Sequence, residues 1–171
     1  MIKNIINKNK ITLFILFNIF YAILYLYTKH KVPIDSSISE WLINYQGGFT
    51  RRGLGGEINI FFAKLFNIPL RQSIFVLQSV IHTLYLLFLL NFIKKMSFNI
   101  AQIFALFTPI FILYPIAELE VLGRKEMLLF LFFITSIFLM DKRYSPNFLN
   151  TYILIFFPLV CLVWEQIVLF A

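Results

Sequence analysis

The sequence predicts an all-α, polytopic membrane protein with about five transmembrane helices and one interfacial or re-entrant helix. Of its 171 residues, 60% are hydrophobic and only 13% are charged, about half the charged fraction of a typical soluble domain. A soluble fold of this size has no room to bury 22 phenylalanines beside so much isoleucine and leucine. The apolar residues also fall in runs of membrane-spanning length. These observations predict a single membrane domain over residues 1–171.

Five apolar runs carry the expected spans. The predicted spans are residues 11–28, 73–93, 100–117, 122–140 and 151–171. The fourth span poses a geometric problem, because residues 127–140 would rise only about 21 Å against roughly 30 Å of hydrocarbon. Starting this helix near Leu122 provides the length, but it draws Arg124 and Lys125 toward the membrane. Charges there are costly unless they are paired or face a wet cavity.

The first long loop, residues 33–72, contains two further predicted helices. Asp35 is placed to cap a short helix that continues through Glu40 and Trp41. Residues 57–68 follow a helical period but are too short to span and end at Pro69. They therefore predict an interfacial or re-entrant helix. Its apolar face comprises Ile58, Phe61, Phe62, Leu65 and Phe66.

Five spans that alternate in direction place the first loop, the third loop and the end of the fifth span on one face. Seven of the eight acidic residues then share that face, and Asp141 alone is opposite. Basic residues do not decide the orientation, since seven lie on one side and eight on the other. The three lysines before the first helix indicate an inside N-terminus and an outward polar face.

The most distinctive stretch is residues 41–57, which contains five of the six glycines and a pair of arginines. Glycine permits tight turns and a close approach to a ligand, and arginine offers planar, permanently charged donors to phosphate. Lipid-headgroup anchoring is the alternative for the arginines, but anchoring needs no backbone freedom. The candidate substrate-binding residues are Gly47, Gly48, Arg51, Arg52, Gly53, Arg124 and Lys125.

Carboxylates on the shared polar face are candidates for a general base or a metal ligand. The candidate catalytic residues are Asp35, Glu40, Glu118 and Glu165. Glu165 is singled out because a carboxylate inside an apolar span is a functional candidate by default. Its alternative is a salt bridge to Arg124 or Arg52 that only fixes helix packing. For the third-loop carboxylates, the alternative is a solvated loop.

Other chemistries find little support in the sequence. No His/Cys cluster with metal-ligand spacing is present, so no metal site is predicted, and no cofactor is indicated. The net charge of +7 is scattered as short clusters at helix ends, where it meets lipid headgroups of the bilayer rather than nucleic acid. His82, inside the second span, predicts an interhelical hydrogen bond, with Gln78 as a candidate partner.

The run at residues 48–56, Gly-Phe-Thr-Arg-Arg-Gly-Leu-Gly-Gly, resembles a motif in bacterial polytopic membrane proteins of surface-polysaccharide biosynthesis. That group comprises O-antigen polymerases and membrane glycosyltransferases of the GT-C type. The Gly-Arg-Lys-Glu run at 123–126 and the Trp-Glu pair at 164–165 are similar to further patterns there. Such proteins have more than five spans, and this chain stops inside an apolar run, so we expect it to be the N-terminal part of a larger protein.

The resemblance implies an enzyme of the bacterial cytoplasmic (inner) membrane that uses a polyprenyl-phosphate-linked sugar. Arginines would hold the lipid phosphate, and an acidic residue would deprotonate the acceptor hydroxyl. Two alternatives remain open. Proline-bent helices and an intramembrane acid also fit a transporter or flippase-like protein, and in a non-catalytic membrane subunit the glycine–arginine stretch would dock a partner.

Overall fold

The computed structural model describes residues 8–33, 35–50, 52–95, 104 and 122–165, and within them the protein is all-helical. This part of the chain forms six helices: α1 (Lys8–Lys29), α2 (Ser36–Leu42), α3 (Leu54–Phe66), α4 (Leu70–Lys95), α5 (Glu126–Asp141) and α6 (Pro146–Val163). The predicted all-α class is confirmed for these residues. The short helix after Asp35 and the helix over the predicted interfacial segment are both present.

Three of these helices are long and apolar enough to cross a membrane. They contain the stretches Asn9–Lys29, Leu70–Lys95 and Pro146–Val163. These three helices indicate a membrane protein, and they are fewer than the five spans that the sequence predicted. The predicted span at 100–117 lies outside the described residues, apart from Phe104.

The predicted start of the fourth span, 122–140, is wrong. α5 begins at Glu126 and has 16 residues, a rise of about 24 Å at 1.5 Å per residue. Residues 122–125 form a turn in which Gly123 has a φ of +89°. This left-handed backbone stops the helix from extending toward Leu122, so Arg124 and Lys125 stay outside it.

The fifth predicted span, 151–171, is shifted along the chain. Ser145 caps α6 by accepting a hydrogen bond from the Phe148 N–H, and Pro146 occupies the first turn, where its missing N–H is not needed. The helix ends at Val163, because Trp164 has extended backbone with φ −147° and ψ 96°. Glu165 therefore follows α6, and residues 166–171 lie outside the described part.

In the core, α4 packs between α1 on one side and α5 on the other. On α1, every third or fourth residue is buried, as expected of one helical face. The α1 members are Ile11, Ile15, Ile19, Ala22 and Leu26. The α4 members with apolar side chains are Ile74, Ile81, Tyr85, Leu86, Leu89, Leu90 and Ile93.

Contacts at the helix ends establish the directions of the helices. Lys95 at the end of α4 forms an ion pair with Asp141 at the end of α5, so these two helices run in the same direction. Arg71 at the start of α4 donates hydrogen bonds of 3.0 Å to the carbonyls of His30 and Pro33, just after α1. α1 and α4 are therefore antiparallel. This is the relation that alternating spans predict for the first, second and fourth crossings.

α3 buries its small and polar residues and exposes its aromatic ones. Gly55, Gly56 and Asn59 face the protein, and the Ser73 hydroxyl donates to the Asn59 carbonyl at 3.0 Å. The exposed face carries Phe61, Phe62, Leu65 and Phe66. An apolar face directed outward from a 13-residue helix fits lipid contact without a crossing, as expected of an interfacial or re-entrant helix.

Candidate functional site

Asp35 is a helix cap. Its carboxylate accepts hydrogen bonds from the Ser37 and Ile38 N–H groups at 2.9 and 3.2 Å, and it lies 3.7 Å from the Lys29 ammonium. Burial by itself would raise the pKa of Asp35, but a hydrogen bond from the Ser37 hydroxyl, the two N–H groups and the Lys29 ammonium together lower it below the usual value. A carboxylate that is fully engaged and weakly basic is a poor general base. The structure thus gives Asp35 the capping role that the sequence also predicted.

The glycine–arginine loop, residues 43–53, packs against the start of α3. Glu57 accepts a hydrogen bond from the Tyr45 N–H at 2.8 Å. A Cβ added at Gly56 would lie 2.1 Å from the Ile43 carbonyl oxygen, and one at Gly53 would lie 2.3 Å from the Tyr45 ring. Gly56 is therefore required by close packing against backbone, a different reason from the ligand approach that the sequence predicted, whereas at Gly53 the close contact is with a side-chain ring.

Gly47 and Gly48 form the exposed tip of the loop. A Cβ at either position would meet no atom within 4 Å, and Gly48 has a φ of +116°. Gly48 thus needs glycine for its backbone conformation. The space around the tip is open, so its assignment to substrate binding stays a prediction.

The turn before α5 is held by donors from three other elements. The Gly123 carbonyl accepts hydrogen bonds from Trp41 Nε1 and Gln78 Nε2, both at 2.7 Å. The Leu122 carbonyl accepts one from Lys29 Nζ at 3.2 Å. Since Lys29, Trp41 and Gln78 belong to α1, α2 and α4, this turn is the point at which the first and third loops are joined. The positioning roles of these three residues were not predicted from the sequence, although a tryptophan in a polar loop and a glutamine inside an apolar run were signals for two of them.

Around this turn lies a group of charged residues, here called the polar cluster. Its members are Glu40, Arg52, Arg124, Lys125, Glu126 and Glu165. Three cations thus meet three carboxylates from the first loop, the third loop and the end of α6. The predicted convergence of these three segments is observed for these residues. Arg51 and Glu118 lie outside the described part of the chain.

Arg52 is the central residue of the polar cluster. Its Nη2 lies 3.0 Å from Glu165 Oε1, and its guanidinium lies 4.6 Å from the centre of the Trp164 ring. Its backbone has a φ of +66°, which is uncommon for a residue with a side chain. Its carbonyl accepts a hydrogen bond from Lys125 Nζ at 2.8 Å. The backbone of Arg52 is therefore held in an unusual conformation by a residue 73 positions away.

Lys125 is fully buried, so its ammonium does not reach a ligand directly in this conformation. Burial lowers the pKa of Lys125 from 10.5 to about 8, with the Glu40 carboxylate opposing this shift and the Arg52 guanidinium adding to it. The ammonium also lies 5.8 Å from the Trp41 ring centre. Lys125 thus holds the Arg52 backbone from inside the protein. Its burial argues against the direct contact with substrate that the sequence predicted.

Glu40 is the carboxylate of the polar cluster whose environment favours a base. Burial raises the pKa of Glu40 above its usual value, and the Glu126 carboxylate raises it further, while the cations of the cluster oppose both. Glu40 Oε2, Glu126 Oε2 and Arg124 Nε are buried and make no hydrogen bond to any residue that the structure describes. Buried polar atoms without partners are costly in a structural site. They are suited to a ligand or water that completes their hydrogen bonds.

An apolar cavity of about 280 Å³ borders the polar cluster. Its lining residues are Trp41, Leu54, Gly55, Ile58, Leu77, Ile81, Leu128, Phe156, Leu159, Val160 and Val163. Trp41 lies against the Lys125 ammonium, and Val163 precedes the Trp164 ring on which Arg52 stacks. Charged and purely apolar surfaces therefore meet at one place.

Two further expectations concern His82 and metal ions. The predicted hydrogen bond between His82 and Gln78 is wrong, because Gln78 donates to Gly123 and neither ring nitrogen of the buried His82 has a described partner. Across the described ranges, no group of three or more His, Cys, Asp and Glu side chains is placed to hold a metal ion.

No protein-family model, curated protein or solved structure matches this chain. Its function is therefore inferred from the polar cluster and the cavity beside it.

Proposed function

We propose that this chain acts in a membrane glycosyltransferase or polysaccharide polymerase that uses polyprenyl-phosphate-linked sugars at the outer face of a bacterial cytoplasmic membrane. The observation that carries this proposal is the junction of the polar cluster with the 280 Å³ apolar cavity. A phosphate on a lipid chain is both anionic and apolar, and it needs both surfaces side by side. The Gly-Arg-Lys-Glu run at 123–126, before α5, also belongs to the resemblance on which this proposal draws.

In this proposal, Arg52 binds the phosphate, assisted by Arg124 and by Arg51. Guanidinium groups donate two parallel hydrogen bonds to phosphate oxygens, which fixes orientation as well as charge. Glu40 accepts the proton of the acceptor hydroxyl as its oxygen attacks the sugar C1. The bond from C1 to the phosphate oxygen breaks, and the lipid phosphate departs while bound to the arginines. Lys125 and Gly53 keep the Arg52 backbone in place.

Arg52→Ala is the direct test of phosphate binding. We expect polymer formation to fall by about 10- to 100-fold, the effect of losing charged hydrogen bonds at a binding site. The measurement is the amount and chain length of surface polysaccharide from cells in which the variant replaces the native copy. Arg143→Ala is a matched control, because Arg143 also has a left-handed φ, of +55°, but lies in the α5–α6 turn at the other end of the helices. Normal polymer from Arg52→Ala at normal protein level would refute the proposal.

The pH dependence of transfer tests Glu40 as the base. A base must be ionised, so activity should rise with pH through the raised pKa of Glu40, above its ordinary value of 4.5. The Lys125 ammonium lowers that pKa. In Lys125→Met the acid limb of the rate profile is therefore expected to move to higher pH. The measurement is the initial rate of sugar transfer in isolated membranes across the acid range.

Lys142→Met serves as the control for this shift, because Lys142 is exposed in the α5–α6 turn, away from the polar cluster. Its acid limb should coincide with that of the wild type. An unmoved limb in Lys125→Met would exclude Glu40 as the group that titrates.

A transporter is the second candidate, and His82 is the observation that favours it. This side chain is buried within α4, and its ring nitrogens have no described hydrogen-bond partner. Ionisable side chains within a span often mark a solute or proton path. The two candidates differ in whether a glycosidic bond is made: a transporter carries its substrate across the membrane of proteoliposomes without making or breaking a bond, and substrate flux in such vesicles is the measurement that distinguishes them.

A further inference from the structure

The guanidinium of Arg52 is occupied by a carboxylate in this structure. Arg52 Nη2 and Glu165 Oε1 are 3.0 Å apart, and the two residues are separated by 113 positions in the chain. Carboxylate and phosphate oxygens accept from a guanidinium in the same way. An anion that binds Arg52 through this nitrogen must therefore replace Glu165.

The ion pair is open to such a replacement. The side chains of Arg52 and Glu165 are 28% and 38% exposed, respectively. Ion pairs with this much solvent contact contribute little to stability, because water screens them. A phosphate or diphosphate carries more charge and offers more acceptor oxygens than one carboxylate, so it competes well for the same donors.

The Arg52 backbone is held by contacts that do not involve Glu165. The Arg52 backbone is fixed by the Lys125 hydrogen bond at 2.8 Å and by close packing of Gly53 against Tyr45. Glu165 lies beyond the end of α6, where Trp164 has left the helical conformation. Replacement of Glu165 by another anion at Arg52 therefore changes the surroundings of the Trp164 ring, whose centre lies 4.6 Å from the guanidinium.

We propose that Glu165 is a carboxylate latch. In the ligand-free protein it occupies the place at Arg52 that a phosphate group of the substrate takes, and binding of that phosphate releases Glu165 and Trp164 from Arg52. This inference rests on the phosphate-binding role proposed for Arg52. It assigns Glu165 a regulatory contact, distinct from the base that the sequence predicted and from a salt bridge that only fixes packing.

Trp164 fluorescence provides the measurement, because the Arg52 guanidinium lies 4.6 Å from its ring centre in the latched state. The full chain in phosphatidylcholine nanodiscs is titrated with inorganic pyrophosphate, and in a second arm it is placed in nanodiscs doped with polyprenyl phosphate. We expect a saturable change in emission that is absent from Trp164→Phe, in which only Trp41 remains. A response to the doped nanodiscs alone identifies the lipid headgroup as the source of the phosphate and supports the latch.

Glu165→Gln removes the competing charge and keeps the shape of the side chain. It is expected to bind pyrophosphate about tenfold more tightly, the gain that follows if the open state is about a tenth of the wild-type population. Equal or weaker binding by this variant overturns the latch and leaves the phosphate role of Arg52 standing. If neither protein binds in either arm, the latch and the proposed phosphate site both fail. Should the variant not fold, a wild-type Trp164 signal that stays unchanged in both arms still overturns the latch.

Discussion

Glu40→Gln is expected to reduce polymer formation by about 10²- to 10⁴-fold, the range typical for loss of a general base. The amide is nearly the same size as the carboxylate but cannot accept the hydroxyl proton. Its environment supports the choice of this residue, since burial and Glu126 raise the pKa of Glu40 and its Oε2 makes no described hydrogen bond. Polymer yield and length in cells carrying the variant provide the measurement, with the membrane level of the protein determined in parallel.

Asp141→Asn is the matched control for this substitution. It also replaces a carboxylate by an amide, but in the ion pair with Lys95 at the opposite end of α4 and α5. An exposed pair of this kind contributes little, so polymer formation should remain near the wild-type amount. If Glu40→Gln retains normal polymer while Asp141→Asn does as well, Glu40 is not the base. In that case the unpartnered oxygens of the polar cluster serve binding only.

Gly56→Ala is expected to lower the midpoint of thermal unfolding in detergent by about 4–8 °C. A Cβ at this position would lie 2.1 Å from the Ile43 carbonyl oxygen, a backbone atom that cannot rotate away. Overpacking of this kind costs about 3 kcal/mol, and the higher helix propensity of alanine recovers about 1 kcal/mol. The remaining ~2 kcal/mol corresponds to the stated shift for a chain of this length.

Gly47→Ala provides the comparison, because a Cβ there meets nothing within 4 Å and the backbone is not left-handed. Its midpoint should stay close to that of the wild type. The pair of variants distinguishes close packing at the start of α3 from a general need for glycine in this stretch. Equal destabilisation by both substitutions would contradict the packing account of Gly56.

Local features of the fold could be predicted from the sequence because their causes are local. The predicted spans at 11–28 and 73–93 correspond to α1 and α4, which start three residues earlier and end one or two residues later. Asp35 was recognised as a cap because the side chain and the N–H groups it binds are neighbours in the chain. The short α3 followed from the period of its apolar residues and from Pro69.

Boundaries that depend on distant contacts could not be predicted in this way. α5 starts at Glu126, because the turn before it is held through the Gly123 carbonyl by Trp41 and Gln78. Arg124, Lys125 and Glu126 interrupt the apolar composition here, and the start near Leu122 was predicted only because residues 127–140 alone are too short to cross the bilayer. The position of Glu165 after α6 likewise depends on the conformation of Trp164.

The same distinction between local and distant causes applies to the candidate site. From the sequence alone came the membrane character, the helices and the expectation that three charged segments share one face, since composition and alternating direction require no knowledge of side-chain packing. Only the tertiary structure decided which charges meet: Lys125 buried beneath Arg52, Glu165 on the Arg52 guanidinium, and Glu40 with an unpartnered oxygen. The physical reason is that burial and the pairing of charges depend on residues far apart in the chain, which become neighbours only when the helices pack.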